Sequence, residues 1–145
     1  MLKRAIIAAA MLAVPVQASA ESWLCIPDMA TGFRYDKILR KWTQSTFQTD
    51  GERMIIKKAS DPQVRYEVRE FGKDDTLPLA RCQKDFTEYG FLKCEGILSE
   101  FKFNKKNMRY IRTYLAGYVE IIPGNTFMKE GNDTPLIEIG RCSAI

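Results

Sequence analysis

The chain has 145 residues, 46% of them hydrophobic and 28% charged, which is one domain's length with enough apolar chain for a single core. Its formal net charge of +4 is halved once Lys3 and Arg4 of a cleavable leader are set aside, and so balanced a domain excludes a general affinity for nucleic acid. Histidine is absent, which removes triad hydrolases, papain-like enzymes in their ordinary form and most zinc catalysis.

The chain opens with Met1-Leu2-Lys3-Arg4, an apolar run from Ala5 to Val14, and Ala18-Ser19-Ala20. A positive start, a short apolar stretch and a small-residue cleavage site are the parts of a secretory signal peptide. Residues 1–20 are therefore expected to be removed, leaving a single domain at 21–145 that is periplasmic or secreted. The run is shorter than the about 20 apolar residues a spanning helix needs, and nothing later approaches that length, so no transmembrane anchor is predicted. Glu21-Ser22-Trp23-Leu24 separates the cleavage site from Cys25, which argues against a lipoprotein.

Strands dominate the rest of the chain, because most segments alternate with period two and are rich in β-branched and aromatic residues. Residues 22–26 form the first. At residues 33–42 two patterns compete: Tyr35, Ile38, Leu39 and Trp42 have helical spacing, while Phe33 and Tyr35 alternate as in a strand. Residues 42–49 and 52–58 flank Asp50-Gly51, a pair suited to the positive φ angles of a type I′ turn, and are predicted to form a hairpin. In 64–71, Val64, Tyr66 and Val68 point one way and Arg65, Glu67 and Arg69 the other. Further strands are expected at 91–94, 98–104, 109–122 and 136–142. Turns are expected at Gly72-Lys73-Asp74-Asp75, Pro123-Gly124-Asn125 and Gly131-Asn132-Asp133. The stretch 109–122 is long for one strand, so Gly117 marks a bulge, a bend or a break.

Four cysteines remain: Cys25, Cys82, Cys94 and Cys142. An even number in an exported chain reads as two disulfides, and of the three possible pairings Cys82–Cys94 with Cys25–Cys142 is favoured. The first would staple a local hairpin and the second would tie first strand to last. Without histidine or closely spaced cysteine pairs, no metal and no cofactor is predicted. The fold class is all-β: a small antiparallel β-barrel or sandwich of about eight strands, lipocalin-like in size and stapled by two disulfides. Joined first and last strands favour the closed form, which removes exposed edges.

Two groups of residues point to binding. Along a continuous strand, Tyr110, Tyr114 and Tyr118 share a face with Arg112, and tyrosine's flat apolar body and polar tip suit sugars or peptides. Lys102, Lys105, Lys106 and Arg109 lie close by, interleaved with Phe101, Phe103 and Tyr110, as a cationic patch for an acidic partner. Asp85, Glu88, Glu95 and Glu100 could supply a carboxylate pair of the kind glycosidases use, though acidic residues on outer strand faces are common. Asn132-Asp133-Thr134 matches a glycosylation acceptor but precedes Pro135, and the neighbouring Gly131-Asn132-Asp133 offers too few spaced oxygens for calcium. The function expected is that of an exported, non-enzymatic binding protein of a bacterial envelope, meeting a small ligand, a glycan or an envelope or host protein. The alternatives are a hydrolase inhibitor working through loops 72–76 or 123–133, a carboxylate-dependent enzyme such as a glycan hydrolase, and a structural envelope component.

Overall fold

The structure is a computed structural model that describes residues 22–73 and 76–145; residues 1–20, where a leader is expected, Glu21, and Asp74 and Asp75 of the turn expected at 72–75 lie outside the described residues. Nine strands follow one another: β1 Trp23–Asp36, β2 Lys41–Phe47, β3 Met54–Lys58, β4 Tyr66–Glu70, β5 Ala80–Cys82, β6 Phe91–Glu95, β7 Ser99–Asn104, β8 Arg109–Tyr114 and β9 Leu136–Ala144. Neighbours pair antiparallel from β3 round to β9, and β9 returns to β1. Eight strands thus close a barrel, and β2 is an extra strand outside it. No helix among the described residues is long and apolar enough to cross a membrane.

The closing seam explains the cysteine pattern. β1 and β9 pair from Trp23↔Ala144 to Gly32↔Leu136, with Cys25 directly opposite Cys142 and a register shift at Pro27, whose missing N–H suits an irregularity in the ladder. The disulfides are Cys25–Cys142 and Cys82–Cys94, the pairing the sequence favours. Both lie inside the barrel, where all four cysteines are buried. Such bonds persist in oxidising compartments, so they are compatible with an extracytoplasmic protein.

Alternation builds the core. Inward-facing Trp23, Met54, Ile56, Tyr66, Val68, Leu92, Phe101, Phe103 and Tyr110 fill the lumen together with the two disulfides. One end is plugged by aromatic rings: Trp23 lies 5.1 Å from Phe86 and 5.6 Å from Phe103 between centroids, and Tyr66 lies 5.3 Å from Phe86. Lys105 closes this plug from outside, its ammonium 4.4 Å above the Phe86 ring.

The strand pairing overturns two sequence expectations. The hairpin expected about Asp50-Gly51 does not form: β2 pairs with Ala30–Asp36 and β3 with Trp23–Cys25, end to end along the same edge of β1. A turn is present, with Glu52 N–H donating to Thr49 at 3.1 Å and Gly51 at φ +83°. It links two strands that succeed rather than face each other. Only in the barrel wall can Met54 and Ile56 point into the core, and pairing β3 with β2 would carry them away from it. The strand expected at 109–122 stops at Tyr114. Gly117 takes φ +95°, and a side chain there would meet Asp133 backbone at 2.7 Å, so the chain breaks away against the approach to β9. At 33–42 the strand pattern prevails, because Asp36 caps a turn at its end by accepting from the amides of Ile38 and Leu39.

Candidate binding site

At the end of the barrel opposite the aromatic plug, β8 and β9 place polar side chains in the lumen. Tyr110 and Arg112 alternate inward, and their cross-strand partners on β9 are Gly140 and Glu138. Gly140 leaves room for the phenol: a side chain there would come within 2.5 Å of Tyr110 Cε1 and 2.3 Å of Ile26 O. Tyr110 also stacks on Phe101 at 5.0 Å. So held, its hydroxyl donates to Glu138 Oε1 at 2.9 Å, and Arg112 Nη2 donates to Glu138 Oε2 at 2.9 Å. Glu138 is 1% exposed, with both carboxylate oxygens engaged.

Arg112 links this buried group to the outside. Its Nη1 reaches Met54 Sδ at 3.9 Å and its Nη2 lies 4.0 Å from Glu52 Oε2, while its buried Nε has no partner among the described residues. The guanidinium forms part of a hollow of about 720 Å³ lined by Asp50, Gly51, Glu52, Arg53, Met54, Glu70, Phe71, Lys73 and Leu79. These residues come from the turn before β3, the end of β4 and the approach to β5, which together rim the barrel mouth. Three cations, three anions and the half-exposed Phe71 ring therefore converge on one concavity. No protein-family model, curated protein or solved structure matches this chain.

The electrostatics are set by burial. The Glu138 carboxyl is held above its ordinary value of 4.5, first by burial and further by Glu52, while Arg112 and Tyr110 oppose the rise without cancelling it. Burial and the neighbouring carboxylate push the Tyr110 phenol up, so it remains a donor. An acid raised on folding binds its proton more tightly in the barrel than in the unfolded chain, so stability falls as pH rises from 4.5 through the folded value. Glu138→Gln is expected to remove this slope without loss of stability at neutral pH. Urea midpoints measured from acid to neutral pH check it, and a slope equal to the parent's would contradict it.

The predicted site residues divide. Tyr110, Arg112 and Tyr114 do share the inner face of β8, and Tyr114 donates to Asp133 Oδ1 at 3.1 Å. Tyr118 lies beyond the strand end and packs edge-on against Trp42 at 5.5 Å. The cationic group is dispersed: Lys102 pairs with Glu100 at 3.0 Å on the outer face, Arg109 is exposed, and Lys105 and Lys106 sit in the turn between β7 and β8. Of the four acidic residues, Glu95 and Glu100 flank Lys93 at 2.9 and 3.3 Å. Asp85 and Glu95 border an outer hollow of about 460 Å³ beside Arg81, Lys84, Lys93 and Lys102. No cluster of potential metal ligands occurs among the described residues. Sequence reasoning missed Glu138, Glu52 and Phe71. For Glu138 a signal existed, since Leu136, Glu138, Gly140 and Cys142 share one strand parity and a cysteine in a disulfide faces inward.

Proposed function

We propose that the protein is an exported, non-enzymatic binding protein that takes a glycan at the barrel mouth. The observation that carries this is Arg112, a fork of donors held by buried Glu138 beneath an open hollow. A guanidinium fixed in this way meets an acceptor with little ordering cost. Alternating carboxylates and cations around it suit the donor and acceptor pattern of sugar hydroxyls, and Phe71 offers a ring face for the apolar side of a sugar. Hydrolysis is not part of the proposal: Glu138 is enclosed with both oxygens engaged, so it positions Arg112 and does not meet a ligand.

Glycan-array probing of the disulfide-bonded protein, followed by calorimetry on the sugars retained, tests this. Phe71→Ala and Glu52→Gln are each expected to weaken binding about tenfold, or about 1.4 kcal/mol, with melting unchanged because both residues line the rim. Failure to bind any glycan at millimolar concentration, or variants that bind like the parent, would contradict it.

A further inference from the structure

Two turns near the free end of the β1–β2 ribbon are built alike. Asp36 Oδ1 accepts from the amides of Ile38 and Leu39, both at 2.8 Å, and Asn125 Oδ1 accepts from those of Phe127 and Met128 at 2.8 and 3.0 Å. Each side chain ties its turn with two hydrogen bonds, and each turn presents a consecutive apolar pair. Those pairs face water, with Ile38 91% and Phe127 83% exposed.

The two turns are neighbours. Trp42 packs against Tyr35 at 5.4 Å and Tyr118 at 5.5 Å, and its indole donates to Glu130 at 3.1 Å. Lys37, Arg40 and Lys129 border a common hollow beside Tyr35. Lys41 adds a fourth cation in sequence. The nearby acids are each held in a hydrogen bond: Asp36 holds its own turn, the exposed Glu130, which borders the same hollow, accepts from Trp42, and Glu120 accepts from the Gly117 amide at 3.2 Å, so cations outnumber acids around the hollow. Exposed apolar residues scattered singly need no explanation. Two exposed apolar pairs beside a cluster in which cations predominate are the pattern of an interfacial anchor, apolar tips entering the acyl boundary while long basic side chains reach headgroup phosphates.

We propose that this end of the molecule docks on an anionic phospholipid bilayer, with Ile38, Leu39, Phe127 and Met128 entering the interface and Lys37, Arg40, Lys41 and Lys129 meeting the headgroups. The charge complementarity selects the partner, and the site is separate from the glycan-binding mouth.

Residues 21–145, which contain every described strand and both disulfides, are mixed with vesicles of phosphatidylcholine alone and of equal parts phosphatidylcholine and phosphatidylglycerol. Sedimentation with the mixed vesicles only, with a blue shift of Trp42 emission, is expected. Neutralising one of the four cations should lower partitioning about fivefold, and added salt should weaken it further. Ile38→Asn with Phe127→Asn should abolish sedimentation while the β-sheet circular dichroism is unchanged, since both residues are exposed. The proposal is overturned if the parent ignores the mixed vesicles, if it binds neutral vesicles equally, or if the folded double variant binds like the parent.

Discussion

Arg112→Met is expected to destabilise the barrel by about 3–5 kcal/mol, roughly 10–20 °C in melting temperature. The loss comes from what remains: Glu138 stays 1% exposed, and its carboxylate loses the hydrogen-bonded cation at 2.9 Å. Burial already outweighs the attraction of Arg112 for that carboxylate, so the pair is asymmetric. Removing the acid relieves a cost, whereas removing the base strands one. Glu138→Gln in the Arg112→Met background should therefore recover most of the stability, because glutamine still accepts from Tyr110 without carrying charge. Thermal melts of the two single variants and the double variant form the cycle that measures this. An Arg112→Met variant within about 1 kcal/mol of the parent would sink it.

Replacing Cys25 and Cys142 by alanine is expected to cost more than replacing Cys82 and Cys94. In the chain-entropy model a loop of 117 residues' separation is worth about 4.7 kcal/mol and one of 12 residues' separation about 3 kcal/mol. Against a typical total of about 5–15 kcal/mol, loss of the first leaves the barrel marginal. The same bond sits on the seam where β1 meets β9, so its loss weakens the closure itself. Guanidinium unfolding of the two alanine pairs checks the order. A larger loss from Cys82 and Cys94 would contradict it.

Period-two alternation made the all-β class legible in residues such as Tyr66 and Val68, and cysteine number with export logic made the disulfides legible. Closure followed from joining the first strand to the last. Alternation reports which residues share a face but not which edge a strand joins. The Asp50-Gly51 turn was visible, yet nothing local reveals that β1, at 14 residues, has room for two short partners end to end. β5 has three residues, too few for alternation to appear. The mouth site divides in the same way. Tyr110 and Arg112 are legible from strand parity, whereas Glu52 and Phe71 sit side by side at the ends of paired β3 and β4, and only barrel closure carries that edge to Arg112. The dispersed cations show the converse, since nearness in sequence across a hairpin sends Lys102 and Arg112 to opposite faces.

The barrel mouth, and not the outer wall, is the proposed place where this protein meets its glycan. Amide chemical-shift mapping during titration with an array-selected sugar tests it most directly. Shifts should cluster at Asp50, Gly51, Glu52, Arg53, Met54, Glu70, Phe71 and Arg112, leaving Lys84, Lys93 and Lys102 unmoved. Shifts confined to the outer hollow around Lys93, or none at saturating sugar, would contradict the account.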